Sequence, residues 1–324
     1  MDDAMTGLLL FRGQKAVVTG GAGFIGSHVV RALLEAGAHV SVIDDFSTGN
    51  EANLQAHERL EIVRGSVSDA ALVSRTIRGA GFVFHLAATS IRASLEDPVR
   101  DSLTNVLGTL HVLVAVRQTD GFHRMVYAST DSVYGNSRYL PINEDDLTST
   151  LSPYAASKLA GENCCKAFYE SYGVPVTMLR YANVYGPRQG CAGVQGGVVP
   201  RFIKNALSGE SLPVYGDGQE TRDFLFVDDT VEATLLAAVT PKADGQVYNV
   251  GSGFETTIVQ VAKKILNLTN SPATLQFADK RDIDNIRRRA LNVEKVRKDF
   301  RWTPKNTLDA GLRKTVDWHR KQQP

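Results

Sequence analysis

Cysteine is scarce in this chain: three residues in 324, alongside two tryptophans and four methionines. Cys164 and Cys165 are adjacent, Cys191 stands apart, and no C-x-x-C pair occurs. Neither a disulfide framework nor a zinc site is therefore expected, and no metal is assigned. Reduced thiols fit a cytoplasmic protein. An excess of either charge is also missing, with 36 basic residues against 35 acidic ones, so nothing marks a nucleic-acid or membrane partner. Long apolar runs are absent too. Residues 8–11 are too short for a signal peptide or a membrane span, and residues 1–12 read as a loose leader. No internal repeat or low-complexity segment occurs.

Glycine, by contrast, is placed with purpose. Ala16 to Thr19 reads as a short buried strand, followed by Gly20, Gly23 and Gly26 and a helix starting near Phe24. Gly20 allows a sharp turn off the strand, Gly23 lets backbone N–H groups approach a pyrophosphate, and Gly26 permits close helix–strand packing. An anion would sit on the helix N-terminus, where unpaired N–H groups and the helix dipole favour it. Strand, turn and helix come in the order a dinucleotide site requires.

Strands and helices then alternate. Strands are expected at 39–43, 60–64, 82–86, 124–129 and 176–180, with helices at 27–35, 70–78, 98–117 and 153–172. The 98–117 helix is read as one amphipathic element carrying Val99, Leu103, Val106, Leu110 and Leu113. Such alternation predicts an α/β protein with a doubly wound parallel sheet, a Rossmann fold. After about Gly186 the pattern becomes less regular. A glycine-rich loop over 190–197 precedes a helix at 199–207, a Pro/Gly hairpin region at 212–218 and a strand at 223–227. Helices at 229–239 and 258–266 flank a strand at 246–249. The expected division is a cofactor-binding domain over 13–188, rejoined by parts of 225–255, and a smaller substrate-binding lobe over 189–324.

Two constellations carry chemistry. Asp44 ends the second strand, where a carboxylate can accept both hydroxyls of an adenosine ribose and repels a 2′-phosphate, which favours NAD over NADP. Ser129 and Thr130 end the fifth strand, and Tyr154 and Lys158 share one face of the next helix. An ammonium beside a phenol favours the phenolate, which can take a proton from a substrate alcohol as hydride leaves its carbon. Thr130 could hold the reacting oxygen.

With these stand segments Thr19–Gly26, His85–Ala88, Ser152–Lys158, Leu179–Arg188, Gly216–Phe224 and Tyr248–Gly253. Together they resemble the extended short-chain dehydrogenase/reductase family, in particular its NAD-dependent nucleotide-sugar epimerase/dehydratase branch, from Gly13 to about Trp318. The resemblance implies an NAD site formed by Gly20, Gly23, Phe24, Ile25, Gly26, Asp44, Val67, Leu86, Ala87, Asn105, Tyr154, Lys158 and Tyr181. It implies a nucleotide-sugar, most simply a UDP-sugar, held by Thr130, Asp131, Asn183, Arg188, Val199, Arg222, Arg287 and Arg289. Catalysis would fall to Thr130, Tyr154 and Lys158. Helices 98–117 and 153–172 match those forming a four-helix homodimer interface in relatives.

Departures from the family pattern narrow the reaction. Ser132 stands where the similar Thr-Asp-Glu segment of 4,6-dehydratases has glutamate, and serine is a poor base without an activating partner. The expected activity is therefore 4-epimerisation of a UDP-hexose or UDP-hexuronate through a 4-keto intermediate. The alternatives are a 4,6-dehydratase or decarboxylase using Asp131, or a non-catalytic NAD-binding protein. Gly65-Ser66-Val67 replaces a usual Gly-Asp-Val at the adenine. Arg289 lies near the position that limits bulk at the sugar C2, which disfavours N-acetylated sugars. Arg289 and Arg188 are both candidates to pair with a C6 carboxylate.

Overall fold

The computed structural model describes residues 9–190, 197–279 and 286–322. Seven strands form one parallel sheet. In chain order they are β1 (Lys15–Thr19), β2 (His39–Asp44), β3 (Leu60–Arg64), β4 (Phe82–His85), β5 (Arg124–Thr130), β6 (Val176–Tyr181) and β11 (Val247–Val250), arranged spatially β11-β6-β5-β4-β1-β2-β3. The central strands are near-continuous apolar runs because helices cover both faces of the sheet. One core cluster joins Val18, Val126 and Leu179 to Phe226 and Trp302; the other gathers Val17, Val83, Met125 and Val116 on the opposite face. From β1 the chain winds outward to β2 and β3, and from β4 it winds the other way. The crevice at the carboxyl ends of β1 and β4 is thus a topological switch point, where ligands of such sheets bind.

The remaining strands are short pairs. β7 (Asn183–Tyr185) runs parallel to β10 (Phe224–Phe226), and β9 (Thr221–Arg222) antiparallel to β12 (Thr256–Thr257). β8 (Leu212–Tyr215) runs parallel to β13 (Leu275–Ala278), so 212–218 is not a hairpin: its partner comes from sixty residues downstream, a pairing local turn signals cannot reveal. Val247–Val250 pairs with Val176–Tyr181, which returns the chain to the main sheet.

Two other expectations need correction. Phe11 is fully buried, and its ring lies 4.8 Å from that of Phe82. The loose leader expected over 1–12 is therefore corrected from Leu9 onward, where a short 3-10 turn begins; residues 1–8 lie outside the described residues. The single helix expected over 98–117 is three pieces: Pro98–Ser102, a π-helical turn at Leu103–Leu107, and Gly108–Arg117. A preceding helix, Ile91–Glu96, was not anticipated. The residues facing inward here are Asp101, Asn105 and Thr109, whereas Val99, Leu103 and Leu107 are exposed. A π-turn rotates the residues after it relative to an ideal helix, so the 3.6-residue period misassigns the faces. The glycine-rich 191–196 stretch and Cys191 lie outside the described residues.

Candidate active site

The glycine turn is built by close approach. Gly20 has φ +69, and a Cβ there would sit 2.7 Å from the Ala87 nitrogen beyond β4. At Gly26 a Cβ would fall 2.1 Å from the Gly20 carbonyl oxygen. Helix Phe24–Glu35 starts from Gly23 with no side-chain cap, which leaves its first N–H groups for an anion. Asp44 closes the far wall. Its carboxylate accepts the Ala22 and Phe46 N–H groups at 2.9 and 2.8 Å, and burial pushes its pKa up against those bonds. A carboxylate has about four acceptor positions, so capacity remains for two ribose hydroxyls.

Every residue expected at the cofactor except Asn105 lines this one cleft. Asn105 is wholly buried behind it, donating to Ser157 and Asp101 at 2.9 Å each. The narrow glycine cradle, the uncapped helix and the ribose-height carboxylate together fit a dinucleotide.

The catalytic candidates meet at the floor. Helix Pro153–Tyr172 is started by the Ser152 side chain, which accepts the Ala155 N–H, and ended by Gly173 in the left-handed region. Tyr154 and Lys158 both line the cleft, and the buried Thr130 ends β5, donating its hydroxyl to Ser132 Oγ at 3.2 Å. One electrostatic expectation is overturned. Burial pushes the Tyr154 phenol up to about 12; the Thr130 hydroxyl lowers it, and Asp131 and Asp101 raise it further. The Lys158 Nζ lies over the Tyr127 ring, 4.2 Å from its centre. Burial pulls Lys158 itself down to about 8.

The supports beneath these groups escaped the sequence reading. The Tyr127 hydroxyl donates to the Lys158 carbonyl at 3.0 Å, and it fits only because residue 161 is glycine: a Cβ there would be 2.1 Å from that oxygen. A glycine inside a helix, which costs about 1 kcal/mol relative to alanine, was the available signal. Ser129 donates to Glu162, which Arg180 grips through Nε and Nη2 at 3.0 and 2.7 Å. Arg180 continues to Tyr134 at 2.8 Å, and Tyr134 to Asn249 at 2.7 Å. This buried chain fixes the end of β5, and with it Thr130.

The residues expected at the substrate divide into three groups. Asp131 and Arg289 form a buried ion pair at 3.0 Å, and Arg289 also donates to the Gly135 carbonyl at 2.8 Å. Arg289 is only 2% exposed, so its charge is already answered by Asp131, contrary to a role in receiving a sugar carboxylate. Arg222 and Arg287 are brought together: Arg222 donates to the Ile286 carbonyl at 2.8 Å, and Thr221 to that of Arg287 at 3.0 Å. Asn183 and the buried Val199 open the strand and helix beside this lobe. Arg188 is not brought here. Its backbone is left-handed, φ +68, and its guanidinium donates to the Ser27 carbonyl at 3.3 Å, against the back of helix Phe24–Glu35. A motif fixes a residue's place along the chain, but this turn decides where its side chain goes.

Among the described residues no group of three or more His, Cys, Asp or Glu could hold a metal, and no helix is long and apolar enough to cross a membrane.

A family model described as "NAD dependent epimerase/dehydratase family" matches residues 16–251. The UDP-glucose 4-epimerase of Mycolicibacterium smegmatis is 37% identical over 313 residues, covering 95% of this chain and 99% of its own. The mouse dTDP-D-glucose 4,6-dehydratase is 32% identical over 324 residues, covering 95% and 89%. Among solved structures, the UDP-glucose 4-epimerase of Thermotoga maritima with UDP-glucose superposes with a TM-score of 0.91 at 37% identity, covering 95% and 99%. Cleft, glycine cradle and family match agree: the chain is an enzyme of the NAD dependent epimerase/dehydratase family, with NAD as its cofactor.

Proposed function

We propose that the chain is a nucleotide-sugar 4-epimerase that inverts C4 of a neutral UDP-hexose. The observation that carries this reading is the state of the two residues after Thr130. Asp131 is held at 3.0 Å by Arg289, and an opposite charge so close favours the ionised carboxylate over the proton-donating acid. Ser132 is a serine, where elimination would need a base. Dehydration across C5–C6 needs a further acid and base at those carbons, whereas epimerisation needs only the proton exchange at the 4-hydroxyl that Tyr154 can carry out. With Arg188 turned away and Arg289 paired with Asp131, neither arginine expected at a C6 carboxylate is left for one, which favours a hexose over a hexuronate.

Bound NAD would supply reversible hydride acceptance at C4. Tyr154 takes the proton of the 4-hydroxyl and later returns it, with Thr130 holding the same oxygen and Lys158 supplying positive charge behind it. Asn183, Val199, Arg222 and Arg287 hold the nucleotide end. Guanidinium groups suit a diphosphate through forked, charge-assisted bonds. A flat 4-keto sugar anchored by its phosphates can then turn over and present its other face.

The protein would act in the cytoplasm as a homodimer. Val99 is 68% exposed, and Leu95, Leu103, Leu107 and Val114 are also exposed along Ile91–Arg117, an apolar face a second copy would cover through helices 98–117 and 153–172. Cys164 and Cys165 are free thiols.

Incubation with UDP-glucose, UDP-galactose, UDP-glucuronate and dTDP-glucose, followed by NMR, tests the assignment. UDP-glucose and UDP-galactose should interconvert and UDP-glucuronate should lag; a persistent 4-keto-6-deoxy sugar would establish a dehydratase. Arg287 supplies a second check. It is exposed and ion-paired with Asp217 at 2.7 Å, and solvent screens such exposed pairs so that they add little to stability. Arg287→Ala should therefore leave thermal unfolding nearly unchanged while raising KM for the UDP-sugar.

A further inference from the structure

Asp101 has no part in the scheme above, yet it is fully buried within reach of the catalytic pair. It sits on Pro98–Ser102, one turn before the π-helical turn. Its Oδ1 accepts hydrogen bonds from the Thr89 hydroxyl and from Asn105 Nδ2, the latter at 2.9 Å. Asn105 Nδ2 also donates to Ser157 Oγ at 2.9 Å, and Ser157 Oγ donates to the Tyr154 carbonyl at 3.0 Å. Thus three bonds join Asp101 to the stretch of helix that carries Tyr154 and Lys158. On the same side, Ser94 Oγ accepts the Tyr154 N–H at 3.1 Å.

The other carboxylate oxygen, Oδ2, is shut from solvent and has no hydrogen-bond partner among the described residues. Buried charges are ordinarily paired, because desolvation is costly. No guanidinium or ammonium touches Asp101 within ion-pair distance among the described residues. Lys158 is a buried cation on the helix that this chain of bonds reaches, and a negative charge at Asp101 favours its charged form.

Around Lys158 the other ionisable groups are accounted for. Glu162 is gripped by Arg180 and Ser129. Burial holds the Cys165 thiol well above its ordinary pKa and so neutral. The His85 ring, lowered to about 3 by burial and by Lys158, is neutral as well. Tyr127 presents a ring face, its phenol raised by burial, and Tyr154 is a phenol at rest. Among the described residues, Asp101 has no cation within ion-pair distance, and its hydrogen bonds lead to the helix of Lys158.

We propose that Asp101 is a positioning residue for the Tyr154–Lys158 pair. Held by Thr89 and Asn105 against the catalytic helix, its carboxylate is the counter-charge that keeps buried Lys158 an ammonium. The spacing of four residues sets Asp101, Asn105 and Thr109 on one face of the helical stretch, and all three are buried. The proposal rests on the hydride chemistry assigned to Tyr154 and Lys158, but its test does not require that the sugar be identified.

The sign follows from charge. Lys158 is active as the cation, so function is lost as pH rises through its pKa, and removing a nearby negative charge lowers that pKa. In the NAD-loaded protein without sugar, the titration of Lys158 is followed by NMR of labelled lysine and assigned with Lys158→Met. Asp101→Asn is expected to move the midpoint down by about one pH unit, with NAD content unchanged. Asp101→Glu, which restores the charge, is expected to leave the midpoint near the wild-type value. Should Asp101→Asn not fold, Asp101→Ser is the neutral substitute, with the same expected shift. An unmoved midpoint in the neutral variant, or an equal shift in Asp101→Glu, would overturn the proposal and leave Asp101 a packing residue. If the shift occurs but no UDP-sugar is epimerised, the assigned reaction fails while the role of Asp101 stands.

Discussion

Tyr154→Phe is expected to lower turnover by about 10²–10⁴-fold, the usual contribution of a positioned proton-transfer group, and to leave NAD content and the UDP-sugar KM nearly unchanged. The variant keeps the ring at the cleft wall and removes only the phenol oxygen. Burial holds that phenol near 12, so the resting group carries its proton. It must be activated by positive charge brought close to it, from Lys158 and from an oxidised nicotinamide in the cleft. Steady-state kinetics and the absorbance of extracted cofactor measure the two quantities separately. A variant that retains most of its turnover would remove Tyr154 from the chemistry.

Gly26→Ala should have the larger effect on the cofactor. The added Cβ would lie 2.1 Å from the Gly20 carbonyl oxygen and 2.9 Å from the Gly21 Cα. Both obstacles are backbone, so no side chain can swing aside. Helix and strand must part by about 1 Å, a displacement that costs on the order of 100-fold where geometry matters. It also costs roughly 1–3 kcal/mol of stability as overpacking. NAD affinity measured by calorimetry should fall by about that factor, with a lower unfolding midpoint. Wild-type affinity in this variant would contradict the close approach described at the glycine turn.

Much of this was legible in the sequence because the signals were local. Gly20, Gly23 and Gly26 announce a turn at a strand end, and Ser152–Pro153 a helix start, so β1 and helix Pro153–Tyr172 could be read directly. The illegible parts depend on residues far apart in sequence. Pairing of Asp131 with Arg289 joins positions more than 150 residues apart, and nothing near either residue reports the other. Arg188 follows a family-like Gly-Pro, yet a left-handed backbone sends it behind the glycine helix. The π-helical turn misled in another way: a 3.6-residue period placed Leu103 inside, whereas Asp101 and Asn105 are the buried residues. Polar residues at the inner positions of an apolar-looking helix were the sign of a functional cluster.

The chemistry assigned to the site makes its most exposed commitment at C4. UDP-glucose carrying deuterium at C4 and incubated with the enzyme should give UDP-galactose with the deuterium still at C4, retained through inversion without exchange into water. Deuterium recovered at C6 of a 4-keto-6-deoxy sugar would contradict the account, since it would mean that the label had crossed to a carbon from which Asp131 had helped to expel a hydroxyl.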